Sequence, residues 1–123
     1  MKIEVSNGEI IDKLTILEIK LEKIRDEVKL RNIRNEYQSL LPDAGKIISP
    51  DHQLFKDLKR VNLSLWRIED EIRDSESRND FGQEFIELAR SVYKNNDERA
   101  RIKKEINKLT GSELSEEKSY KDY

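Results

Sequence analysis

The sequence contains no cysteine, which removes disulfides, thiolate metal sites and cysteine nucleophiles together. Its one histidine, His52, cannot supply the paired Glu-x-x-His motifs of a di-iron bundle, and serine–histidine catalysis has no supporting arrangement. Four glycines form no phosphate-cradling loop. No apolar run approaches the roughly 20 residues of a membrane span, and Met1 to Ser6 lacks the apolar region of a signal peptide. A cytoplasmic protein without membrane contact is therefore expected. Acids and bases are mixed in every segment and sum to −2, so there is no electrostatic footprint for nucleic acid.

What the chain has in abundance is charge. Of its 123 residues 41% are charged and 35% hydrophobic, against a globular average of roughly 25% and 45–50%. Such a chain can bury stripes but hardly a round core. Long helices with narrow apolar seams, or a homo-oligomer that completes the core with a second copy, fit that balance best. The net charge is small and the apolar pattern regular, which argues against disorder.

The most regular stretch runs from Phe81 to Leu109. Phe81, Phe85, Leu88, Val92, Asn95, Arg99, Ile102, Ile106 and Leu109 alternate steps of four and three, a coiled-coil seam interrupted by two polar residues. A second row, Ile86, Ala89, Tyr93, Asn96 and Ala100, widens the arc enough for two neighbouring helices. Upstream, Ser6 and Glu9 read as a capping box, with Val5 and Ile10 as its hydrophobic staple, starting a helix at Asn7. That helix carries Ile10, Leu14, Leu17, Leu21, Ile24 and Val28, then changes phase to Leu30, Ile33, Tyr37 and Leu40, which predicts a kink near Asp26–Lys29. Pro42 to Gly45 should end it. Ser49-Pro50-Asp51 signals a second start, with Leu54, Leu58, Val61, Leu65, Ile68 and Ile72 following at seam spacing. Asp80 and Gln83 form a plausible cap pair for the last helix, and Gly111 its end.

These signals predict an all-α, single-domain fold: an elongated up-down-up three-helix antiparallel bundle with coiled-coil-like packing. The expected helices cover about 7–41, 50–78 and 81–110, with an acidic tail at 112–123. Counting levels from the two connections puts Trp66 opposite Tyr93, and Asn62 near Asn96 and the phase change of the first helix. The two seam polars, Asn95 and Arg99, then gather with Asn62 and Asn96 from the rows beside the seams into one layer, with Trp66 and Tyr93 next to it. The preferred role is register and partner selection; the sharper alternative is an anion or small-ligand pocket organised by Arg99.

An enzymatic alternative uses other residues. Glu9 with Asp12, and Glu84 with Glu87, are carboxylate pairs three apart on a helical face. They could hold a magnesium ion if the first and third helices start at similar levels. In helical content, size and acid spacing the chain resembles the all-helical nucleotide pyrophosphohydrolases. Their Glu-x-x-Glu pair precedes a Glu-x-x-Asp pair, whereas here Glu9-to-Asp12 comes before Glu84-to-Glu87.

Three segments together carry a more specific resemblance: Gly8 to Lys20, Leu65 to Asp70, and Phe85 to Tyr93 followed by Asn96-Asp97. With Glu116 to Tyr120 they cover almost the whole chain, which resembles a family of short uncharacterised all-helical proteins from bacteria and bacteriophages. The resemblance implies no activity or site. It implies a neighbourhood, since some members lie near or are joined to glycosyltransferase-type proteins, hinting at surface polysaccharide systems. Relatives carry proline after the residue matching Asp26, where this chain has Glu27, so a chain break at that point is implied too. It also implies that the tail docks or recognises a partner, with Tyr120 packed on the bundle or on a second subunit. The expected function is thus a non-catalytic helical interaction or scaffold protein, self-associating and without cofactor. The magnesium-dependent hydrolase is the alternative.

Overall fold

A computed structural model describes residues 1–121; Asp122 and Tyr123, at the end of the predicted tail, lie outside the described residues. The chain is all-helical, with α1 at Asn7–Lys23, α2 at Glu27–Gly45, α3 at Gln53–Ser77 and α4 at Gln83–Thr110. The expectation of three helices is overturned: the stretch 7–41 is not one kinked rod but two helices folded against each other. Ile24 leaves α1 in extended conformation (φ −85°, ψ 138°). Asp26, also extended, caps α2 by accepting the Lys29 amide on Oδ1 at 3.0 Å. A carboxylate that satisfies an orphan amide of a new helix cannot also sit inside a continuous one. α2 returns alongside α1, so that Lys13 Nζ meets Glu36 at 2.8 Å at positions nearly equidistant from the break. A reversal and a kink produce the same change of phase in an apolar pattern, which is why spacing alone could not separate them.

The other boundaries follow local chemistry. Ser6 Oγ accepts the Glu9 amide at 3.2 Å. The Glu9 carboxylate, expected to complete a capping box, reaches Lys103 instead. α2 runs through Pro42 to Gly45. Proline in its last turn removes one ladder bond, the one its missing N–H would make to the Gln38 carbonyl, and the helix ends three residues later. Ser49 to Asp51 form a turn rather than a helix start, and His52 caps α3 through Nδ1 on the Leu54 amide at 3.0 Å. The α3–α4 turn holds Asn79 at φ 53°, a left-handed conformation that asparagine tolerates. Asp80 serves the Gly82 amide there.

α3 and α4 pair as an antiparallel hairpin, and α1 lies across one end of it. Contacts from α1 to α4 run antiparallel, from Asn7–Thr110 through Gly8–Asn107 and Glu9–Lys103 to Asp12–Arg99. α2 backs α1 and makes no close backbone approach to α3 or α4 among the described residues. The core sits at this crossing: Ile11 and Leu14 of α1, Ala44 of α2, Leu58 of α3, and Ile102 and Ile106 of α4. Gly8 permits the approach. A Cβ there would lie 2.4 Å from the Lys103 carbonyl oxygen, inside any allowed contact.

α1 has 17 residues and α4 has 28, so α1 spans about 26 Å against about 42 Å at 1.5 Å per residue. Beyond the crossing, the hairpin continues alone. Between Leu63 and Ala100 only Ser75 is buried, although apolar seam positions continue through both helices to the tip. No helix among the described residues is long and apolar enough to cross a membrane.

Two glycine substitutions separate contact from conformation. Gly8→Ala must push α1 off α4 and should cost about 1–3 kcal/mol, as overpacking does. Gly45→Ala, with nothing within 4 Å of its Cβ position, should gain about 0.4–1 kcal/mol through the unfolded state. Urea unfolding of the two variants measures both signs.

Candidate functional site

The most organised polar cluster lies where α1 meets the hairpin. The inner face of α1 carries Gly8, Asp12, Thr15 and Ile19 in steps of four, three and four, a row parallel to its apolar one. Asp12 is 1% exposed. Arg99 grips its carboxylate with both arms of the fork, Nε to Oδ1 at 2.9 Å and Nη2 to Oδ2 at 2.5 Å. Asn62 Nδ2 donates to the same Oδ1 and to Thr15 Oγ1, both at 2.9 Å. The Thr15 hydroxyl donates to the Asp12 carbonyl at 2.7 Å. Three helices thus contribute to one hydrogen-bonded unit. Bonding to Asp12 raises the Arg99 pKa further above its ordinary value against the opposing effect of burial, so the guanidinium is permanently charged.

From this unit a polar ladder runs to the end of α4, where Arg99, Lys103, Asn107 and Thr110 recur at steps of four, four and three. Lys103, its side chain 12% exposed, sits between Glu9 at 2.6 Å and Glu116 at 3.0 Å. Burial pulls its ammonium down, but the bonds from Glu9 and Glu116 outweigh that and the net shift is upward. Asn107 Oδ1 accepts the Gly8 amide at 2.6 Å, and Thr110 Oγ1 accepts from Asn7 Nδ2 at 2.9 Å. The first turn of α1, whose amides would otherwise be orphaned, is therefore partly capped by α4.

A second, smaller group lies on the far side of α1. Glu18 Oε2 is buried without a hydrogen-bond partner, while Oε1 stands 3.9 Å from Lys59 Nζ. Burial raises the Glu18 pKa, against the attraction of Lys59. Tyr37 beside it is pushed up by burial and then by the Glu18 charge.

Of the residues singled out in the sequence, Asn62 and Arg99 meet, and they meet at Asp12. Asn95 turns back to its own helix, donating to the Ser91 carbonyl at 2.8 Å. Asn96 is half-buried on α4. Trp66 is half-buried on α3, and Tyr93 is 39% exposed on α4. The four carboxylates of the magnesium alternative do not come together. Asp12 is bound by Arg99 and Glu9 by Lys103, while Glu87 bonds Gln83 and Arg90 near the opposite end of α4, with Glu84 exposed beside it. From Glu87 to Arg99 is about 18 Å of helix axis at 1.5 Å per residue. That alternative required α1 and the last helix to start level. Because the chain reverses after α1, the start of α1 meets the end of α4. Among the described residues no three histidine or acidic side chains form a group that could hold a metal ion.

Thr15, Lys103 and Asn107 had not been singled out, and Asp12 had been given a different role. The available signal is the second periodic row on each helix, Gly8-Asp12-Thr15 and Arg99-Lys103-Asn107, whose spacing is the same whether its polar members meet solvent or another helix. Chemically the cluster is closed. Both Asp12 oxygens are engaged, Oδ1 by Arg99 and Asn62 and Oδ2 by Arg99, and the residue is 1% exposed.

Arg99→Leu should destabilise the fold by about 3–5 kcal/mol, since it strands a buried carboxylate. The loss should fall toward the lower end because Arg99 itself is 30% exposed. Adding Asp12→Leu should recover most of it, a coupling that a double-mutant cycle in urea reads directly. For Glu18 the sign is opposite to that of a salt-bridged acid. Its folded pKa lies above the ordinary 4.5, so the folded state binds the proton more tightly and stability falls as pH rises from 4.5 through the raised value. Glu18→Gln should therefore melt higher than the parent at pH 7, and the gain should vanish below pH 4.5, as thermal melts across that range would show.

No curated protein and no solved structure matches this sequence. The model of a family of unknown function (DUF6165) matches residues 1–123, and the chain belongs to that family.

Proposed function

We propose that this protein is a non-catalytic helical interaction module that self-associates through the arm formed by the outer halves of α3 and α4. The observation that carries this reading is the mismatch between pattern and burial. Leu65, Ile68 and Ile72 on α3, and Phe85, Leu88 and Val92 on α4, keep seam spacing, yet none of them is buried. Phe81 and Ile86 are 50% and 47% exposed. The wide apolar arc of α4 calls for two neighbouring helices, and along the arm this chain supplies one, because α1 is too short to reach. Two such hairpins packed face to face make a four-helix bundle that covers both seams. Each half-buried side chain completed in this way contributes on the order of 1 kcal/mol. Arm charges of both signs, such as Arg67, Glu69, Arg73 and Asp74, leave no single-sign field to repel a second copy.

The cytoplasmic location and the link to bacterial surface polysaccharide systems belong to this proposal as its setting. The link is supported by the family-like sequence segments alone.

Sedimentation equilibrium should give a dimer mass for the wild-type chain. Ile86→Glu, at a position already half exposed, should give a monomer of unchanged helicity by circular dichroism. A wild-type chain that stays monomeric across the micromolar range, or an Ile86→Glu variant that still dimerises, would sink the reading.

A further inference from the structure

The described part of the tail, residues 112–121, lies back along α4, and what holds it is polar. Ser112 Oγ accepts the Asn7 amide at 3.0 Å, and Asn107 Nδ2 reaches Ser115 Oγ at 3.5 Å. Lys103 Nζ meets Glu116 at 3.0 Å and Lys104 Nζ meets Glu117 at 2.7 Å. Every residue from Glu113 to Lys121 is exposed. Tyr120, expected to pack, is 76% exposed, with Lys118 Nζ 5.9 Å from its ring centroid. Surface ion pairs of this kind are each worth little, and Leu114, beside Ile3, Val5 and Ile10, stays 43% exposed, so a segment with no buried apolar anchor docks reversibly.

Beneath the tail is a cavity of about 340 Å³, walled by Arg101, Lys103, Lys104 and Asn107 on α4 and roofed by Glu116 and Tyr120. Asp97 is the one acid on the α4 side. The tail spans this site without filling it. We propose that the cationic groove on α4 is a docking site for an acidic peptide segment of a partner protein, and that the chain's own Glu116-Glu117 pair occupies it as a tethered competitor. Two consecutive carboxylates face two consecutive ammonium groups, a match that any acidic segment with adjacent acids reproduces. Lys103 is already positioned by Glu9, so it stays in place when the tail leaves and presents its remaining donors to the incoming carboxylate. Bonding to the Lys103 ammonium holds the Glu116 carboxyl below its ordinary range, so the contact is one between full charges, which another carboxylate can replace. The groove lies at the end of α4 remote from the arm, so the two surfaces can be occupied independently.

The test uses the full chain carrying Glu116→Gln and Glu117→Gln, which releases the tail. The probe is a fluorescent synthetic peptide with the sequence of residues 112–121. Anisotropy titration should show binding to the released chain and binding to wild type that is roughly tenfold or more weaker, because the tethered tail competes at high effective concentration. Lys104→Gln added to the released chain should weaken binding; Lys104 pairs with Glu117 at the surface, so this change spares the fold. Added salt should weaken binding too. A peptide with glutamine in place of both matched acids should not bind. Equal binding to wild type and released chain, or equal binding of the acidic and neutral peptides, overturns the proposal. So does a concentration-dependent increase in mass on mixing wild-type and released chains that Ile86→Glu does not abolish, because the occupant is then the tail of a second copy.

Discussion

The carboxylate of Asp12 is the constraint on which the rest of this fold depends. An ionised group 1% exposed is tolerated only where its charge and lone pairs are met. Here they are met by Arg99 from α4 and Asn62 from α3, with Thr15 completing the arrangement. Those partners sit at one level of the α3–α4 hairpin, so α1 must cross at that level and with the Asp12 face inward. Sliding α1 by one turn would leave the carboxylate, the guanidinium and the amide all unpaired. Apolar seams are more forgiving, since leucine against leucine tolerates several alignments. The polar unit therefore acts as the register of the fold, and the bonds from Glu9, Gly8 and Asn7 to the last turns of α4 extend that register to the helix end.

Fixing α1 there has a cost in coverage. α1 is held at one end of a longer hairpin, α2 is placed behind it, and the outer part of the hairpin receives no third layer. The molecule thus has a specified half, dense in directional hydrogen bonds, and an unsatisfied half, where seam residues stay partly in water. Apolar area that the chain cannot cover itself is available to another chain, which is the basis of the self-association proposed above. The tail follows the same principle in polar form: exposed acids answer exposed lysines, with no buried contact to make the answer permanent.

Much of the fold was legible in the amino-acid pattern, and the reasons differ from one element to the next. α4 could be read closely because its heptad spacing is long and ends at Gly111; its start lies at Gln83 rather than Phe81, with Gly82 as a cap that makes no side-chain bond in place of the Asp80–Gln83 pair. The start of α1 followed from the Ser6 cap. The division between α1 and α2 was visible as a loss of phase after Val28, beside the chain break that the resemblance implies at Asp26, and phase cannot say whether a helix bends or turns back. The residue that settles it, Asp26, is a common one, and its capping role depends on the extended backbone it adopts. At the site, Arg99 stood out because it breaks an apolar seam, and Asn62 because counting levels sets it beside Asn96. Asp12 stood out only as one of a carboxylate pair, and Thr15, Lys103 and Asn107 did not, because polar residues beside a seam look the same whether they face solvent or another helix.

What this sequence determined by itself is local and periodic: helical content, the Ser6 and Gly111 caps, the continuity of the α3 and α4 seams, and an amount of apolar surface too small for a round core. These depend on neighbours within a few residues, where geometry is set by the helix itself. Only the tertiary structure decided that the chain reverses at Asp26, that Arg99 reaches a carboxylate 87 positions away, and that α4 lacks its second neighbour along the arm. Each of these turns on which of several similar helices lies against which. In a chain where 41% of residues are charged, almost every face offers an acid and a base at the right spacing. Geometry in three dimensions then selects Arg99 as the base that meets the buried carboxylate of Asp12.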